Sequence, residues 1–134
     1  MKYYSRAFSN AKKTVRNGIK FDSKLEADKY THLKTLERIG KISDLQIQKP
    51  FQLLTDQEKR TDIILSLGKR KKIAGIKYLA DFTYIRNGQK VALDTKGRTT
   101  EVYKIKLKMF LACYPSYQFI ECYRDSKKNN FEIY

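Results

Sequence analysis

Between residues 24 and 39 apolar side chains return at near-helical spacing, with Leu25, Tyr30, Leu33 and Leu36 in the run and Gly40 placed to end it. Ser23 stands three residues before Glu26, the capping-box arrangement of a helix start, and a helix is predicted over about 24–39. From Asp44 to Leu54 the period falls to two, with Leu45, Ile47, Phe51 and Leu53 on one face and Gln46, Gln48 and Gln52 on the other. Ile76–Ile85 is rich in β-formers and, after Arg86, meets Asn87-Gly88, the strongest short hairpin signal, before a second strand at Gln89–Thr95. Thr99 or Thr100 can cap a helix with the stripe Tyr103, Leu107, Phe110, Leu111 and Tyr114, closed by Pro115, and residues 117–123 read as a last strand. Residues 55–73 are expected to form an extended hairpin tip with a basic turn at Gly68–Lys72. The order is αβββαβ without internal repeats: one α/β domain over 21–124, a basic arm over 1–20 and a fraying tail over 125–134.

The chain's 134 residues suit one core of ordinary size. Lys and Arg number 29 against 14 Asp and Glu, a net +15 that points to a polyanionic partner. The longest apolar run, Met109–Cys113, is far short of the roughly 20 residues of a membrane-spanning helix. The first residues lack the apolar run of a secretory signal, so the cytoplasm is the expected compartment. Cys113, Cys122 and the single His32 cannot make a four-ligand zinc site; both thiols read as small apolar packing groups, and His32, about 240° around its helix from Glu26, points away from it.

A two-residue turn at Asn87-Gly88 sets Asp81 opposite Asp94 at a non-hydrogen-bonded position, with Cα atoms about 4.5 Å apart. Lys96, two residues on, projects from the same face, while Phe82, Tyr84, Val91 and Leu93 point to the other. Two carboxylates this close need a cation or a proton between them. Hard oxygens suit Mg²⁺ or Mn²⁺, which can bind a phosphate oxygen and activate a water, with Lys96 orienting that water or stabilising the phosphorane. The plainer alternative makes the two aspartates solvated polar residues with Lys96 as their ion-pair partner.

The segments Tyr78-Leu-Ala-Asp81-Phe-Thr-Tyr and Asp94-Thr95-Lys96-Gly97, in this order of elements, resemble the PD-(D/E)XK nuclease superfamily. With Gly18–Glu26 and Ile42–Gln48 added, residues 12 to 121 are similar to a small phage and prophage family of nucleases related to Holliday junction resolvases. The resemblance implies a restriction-endonuclease-like core, a mixed sheet flanked by helices. It implies Asp81, Asp94 and Glu26 as metal ligands with Thr95 beside them, Lys96 as the catalytic lysine, and cleavage of branched DNA in phage recombination or replication. Glu26 is equally explained as a helix cap, and the superfamily's Pro before the first Asp is Ala80 here. Junction cutters act on two strands symmetrically, so a homodimer goes with that substrate.

DNA contacts are expected from the arm (Lys12, Lys13, Arg16), from the turn Lys69, Arg70, Lys71 and Lys72, and from Arg98 with the Lys104–Lys108 ridge. Gln46 and Gln48, on the polar strand face, are candidates for a phosphate or water contact. The rival from another class is a non-catalytic basic nucleic-acid-binding protein. A single-strand-binding module would want exposed aromatics on the active face, where the predicted alternation puts Leu79, Asp81, Thr83, Ala92, Asp94 and Lys96.

Overall fold

The computed structural model describes residues 13–55, 66–68 and 74–123. The chain starts with a small antiparallel hairpin, β1 (Thr14–Arg16) and β2 (Ile19–Phe21), where the sequence predicts only a flexible arm. Its turn is Asn17-Gly18 with φ of 51° and 76°, matched at Asn87-Gly88 by 51° and 75°. The same dipeptide makes the same turn twice, because both central residues need positive φ and Asn and Gly tolerate it best. Phe21 anchors the hairpin: it is buried, with its ring 5.1 Å from that of Tyr30. Residues 1–12 of the predicted arm, Lys12 among them, the turn Lys69–Lys72 with most of the predicted hairpin tip, and the tail fall outside the described residues.

Helix α1 (Lys24–Arg38) begins as predicted: the Ser23 hydroxyl accepts from the Glu26 N–H at 3.1 Å. It ends at Gly40, φ 80°, where Gly40 N–H donates to Glu37 O at 3.1 Å and Lys41 N–H to Leu36 O at 2.9 Å. These paired bonds are the Schellman closure of a helix. Strands β3 (Ser43–Leu54), β4 (Ile76–Arg86), β5 (Gln89–Lys96) and β6 (Tyr117–Tyr123) form one sheet in the order β3-β4-β5-β6. The first two pairings are antiparallel and β5–β6 is parallel, the crossover being helix α2 (Glu101–Cys113), capped by Thr100. The fold is thus α/β, a mixed four-stranded sheet flanked by helices, as the sequence predicts, with the hairpin added in front.

Each sheet face carries its own core. Ala27, Tyr30 and Leu33 of α1 pack with Phe82, Tyr84, Val91, Leu93, Ile120 and Cys122. On the other face, Tyr103 and Phe110 of α2 pack with Phe51, Leu53, Tyr78, Ala80 and Ala92. Phe82 and Phe110 are fully enclosed, each worth about 2–3 kcal/mol of burial. Leu111, predicted for the α2 stripe, is 47% exposed. Cys113 is exposed as well, its thiol 3.6 Å from Leu53 O, so only Cys122 is the packed thiol foreseen. Among the described residues no helix is long and apolar enough to cross a membrane.

Candidate active site

The β4–β5 ladder runs from Arg86–Gln89 to Phe82–Leu93, the register predicted from the Asn87-Gly88 turn. At the next step the regular pattern changes. Tyr78 and Ala80 pack on the α2 side whereas Phe82 and Tyr84 pack on the α1 side, although strict alternation would put all four on one face. β4 therefore switches faces at Asp81. In β3, Gln48 lies between the Ile47–Phe82 and Lys49–Ala80 pairs and has φ of 52°, a left-handed backbone rare for a long side chain. The predicted facing of two aspartates across a plain ladder gives way to a fork in which side chains replace backbone pairing.

In that fork each carboxylate takes a backbone donor. Asp94 Oδ1 accepts from the Asp81 N–H at 2.9 Å, and Asp81 Oδ2 accepts from both the N–H and the hydroxyl of Thr95 at 2.9 Å. Two like charges directly opposite each other destabilise a strand pair, and these N–H groups reduce that cost. Asp94, 2% exposed, also takes the Tyr78 hydroxyl and the Lys96 ammonium, the latter at 2.7 Å. The same ammonium sits 3.8 Å from the centre of the Tyr103 ring, which faces it with its π-cloud. Burial and the Asp94 charge push the Tyr78 hydroxyl far above its ordinary range, so it remains a neutral donor. The aromatics Tyr78 and Tyr103 thus line the Asp94–Lys96 side, where simple alternation leaves none.

Glu26 enters from α1. The helix start places it at the third residue, buried at 6% exposure, and its Oε1 accepts from Gln48 Nε2 at 3.0 Å. The same nitrogen lies 3.3 Å from Asp81 Oδ1. Glu26 is thus both the capped residue of the helix and a neighbour of Asp81, joined through one amide. Burial, then the charges of Asp81 and Asp22, push the Glu26 carboxyl up to about 7. Burial followed by Asp94 pushes Asp81 up to about 6, against the Thr95 hydrogen bonds. At both acids burial is the larger cause and the neighbouring carboxylates add to it.

Among the described residues no three His, Cys, Asp or Glu side chains form a ready-made ion cage. The donor chemistry nevertheless fits a hard divalent cation: two carboxylate oxygens, Glu26 Oε1 and Asp81 Oδ1, converge on a single donor atom. Asp94 is the most committed of the three, with a hydrogen bond or ion pair to each of three partners. Gln46 turns instead to Asp44, its Nε2 3.1 Å from Oδ1.

Of the basic residues, Lys13, Arg98 and Lys108 are exposed. Arg16 pairs with Asp28 at 2.8 Å and Lys104 with Glu101 at 3.0 Å, exposed pairs of the kind worth little in water. Tyr78 and Tyr103 are the site residues that sequence reasoning missed. The pattern Tyr78-x-x-Asp81 carries no sign of a face switch, so Tyr78 reads as a member of the Phe82 face.

A family model described as "Protein of unknown function (DUF1064)" matches residues 6–130. No curated protein and no solved structure matches the chain.

Proposed function

We propose that this chain, which belongs to the DUF1064 family, is a divalent-metal-dependent endonuclease that hydrolyses DNA phosphodiesters, with branched DNA as its preferred substrate. The observation that carries the reading is the convergence of Glu26 and Asp81 on one donor atom beside an Asp94–Lys96 pair, in a chain of net charge +15. A bound Mg²⁺ or Mn²⁺ supplies charge neutralisation at phosphate and a water of lowered pKa. Glu26 and Asp81 would hold it, Asp94 with the lone pair its three partners leave, and Thr95, whose N–H and hydroxyl are given to Asp81, with its carbonyl.

Lys96 then has one task. Held by Asp94 and the Tyr103 ring, its ammonium offsets the charge that builds on the phosphate oxygens as water attacks, an interaction stronger in the transition state than in bound DNA. Lys13, Arg16, Arg98, Lys104 and Lys108 supply the sequence-independent grip on the backbone, and the symmetric demands of a junction favour a homodimer.

The second reading, a non-catalytic nucleic-acid-binding protein, draws on the absence of a preassembled cage among the described residues and on the commitment of Asp94 to Tyr78 and Lys96. One assay separates the two. Supercoiled plasmid, linear duplex and a four-way junction are incubated with the protein in Mg²⁺, Mn²⁺ or EDTA. Metal-dependent cutting, fastest on the junction, supports the nuclease; binding without cutting in every condition leaves the binder.

A further inference from the structure

Gln48 is exposed, yet its side chain reaches inward between two acids that are not. Its NH₂ group has two hydrogens, and the two oxygens it meets, Glu26 Oε1 at 3.0 Å and Asp81 Oδ1 at 3.3 Å, are the ones that converge in the candidate site. The backbone underneath is costly for this residue, with φ of 52°. Asn tolerates that conformation better than Gln, so the backbone alone would favour the shorter amide. What Gln adds is one methylene of reach.

We propose that Gln48 is a positioning residue whose carboxamide holds Glu26 and Asp81 together in the metal-free protein and gives them up when a divalent cation binds. A cation and an NH₂ group carry charge of the same sign toward the same two oxygens and cannot both occupy the place between them. The exposed side chain can swing into water without disturbing either core, whereas a buried one would need the core to open. The amide thus keeps two like charges, one buried and one half-buried, in order while the site is empty, at the expense of metal affinity. This role rests on the metal-dependent reading above.

The test uses the full chain stripped of metal, with Mn²⁺ alone as the probe. Gln48→Leu and Gln48→Asn both break the clamp, one by removing the amide and the other by shortening it. Each is expected to lower the melting temperature in EDTA by about 3 °C and to tighten Mn²⁺ binding, read by calorimetry, about tenfold, the free energy of one hydrogen bond to a charged group. Gln48→Lys puts a permanent cation at the same place; it should raise the metal-free melting temperature and weaken Mn²⁺ binding by about 100-fold or more. Should Gln48→Leu fail to fold, Gln48→Lys carries the test by itself. Gln48→Asn matching the wild type in both measurements would make Gln48 a backbone kink and nothing more. Mn²⁺ binding that is unchanged or weaker in Gln48→Leu, or unchanged in Gln48→Lys, also overturns the clamp while leaving the nuclease reading intact. A wild-type protein that binds no Mn²⁺ overturns both.

Discussion

Asp81 and Asp94 each hold the backbone of the other's strand: the Asp81 N–H donates to Asp94 Oδ1 and the Thr95 N–H to Asp81 Oδ2, both at 2.9 Å. The two acids therefore build the fork in which they sit. Substitutions that keep their shape test chemistry, and substitutions that remove the side chain test the fold.

Asp81→Asn and Asp94→Asn preserve an acceptor oxygen for those N–H groups and remove one negative charge each. Both should bind junction and duplex DNA at least as well as the wild type while cleavage falls on the order of 100-fold or more. Lys96→Ala should lose cleavage to a similar degree. Binding by electrophoretic mobility shift in Ca²⁺ and cutting in Mg²⁺ separate the two effects, and wild-type cutting by all three variants would place the activity elsewhere.

Tyr78→Phe keeps the ring in its aromatic cluster and deletes one donor from a carboxylate that is 2% exposed. The expected loss is about 1–3 kcal/mol of stability, the cost of an under-satisfied buried acceptor. Urea unfolding measures it, and a change below about 0.5 kcal/mol would mean that Lys96 and the Asp81 N–H suffice for Asp94.

Stability of the metal-free protein should fall as pH rises from about 4 to about 7. The Glu26 carboxyl is raised from 4.5 to about 7 by burial, then by Asp81 and Asp22, and Asp81 from 3.8 to about 6 by burial, then by Asp94. Between the unfolded and folded values the native state holds more protons than the unfolded one. Their stabilising contribution is therefore full below pH 4, declines through the window and is gone by about pH 7. Urea midpoints in EDTA follow the decline; Glu26→Gln should flatten it, and Mn²⁺, on the proposed metal-dependent reading, should oppose it by favouring the ionised acids.

DNA affinity should drop steeply with salt. Phosphate contacts spread over Lys13, Arg98, Lys108 and neighbouring cations predict a log–log slope of about −4 or steeper on duplex arms. Fluorescence anisotropy from low to physiological salt gives the slope, and a value near zero would dissociate the net charge of +15 from DNA binding.

Where local signals set the structure, the sequence was readable. Ser23 three residues before Glu26 located α1, and Asn87-Gly88 fixed the register to within one pair of the two aspartates. At 17–18 the same dipeptide is masked by six basic residues in the first 20, which read as a solvated arm, yet Ile19 and Phe21 are enough to dock a hairpin. The inner details of the site depend on contacts distant in sequence. Gln48 meets Glu26 across 22 residues and Asp81 across 33, and Tyr78 reaches Asp94 only because β4 switches faces between them. Periodicity describes a regular strand and has no means of marking the place where regularity stops.

The bend at Gln48 also matters for a hazard unrelated to chemistry. Among the described residues β3 lies at one end of the sheet, and its 12 residues make it the longest strand there. A flat edge of that length is a template for another chain to add to, the first step of strand-mediated aggregation. Positive φ at Asp44 and Gln48 breaks the ribbon twice, Pro50 offers no N–H, and Lys49 adds charge. A variant that straightened β3 at position 48 would forfeit more than a ligand clamp, because it would turn a blunted border into an adhesive one and lower the concentration at which the protein stays monodisperse.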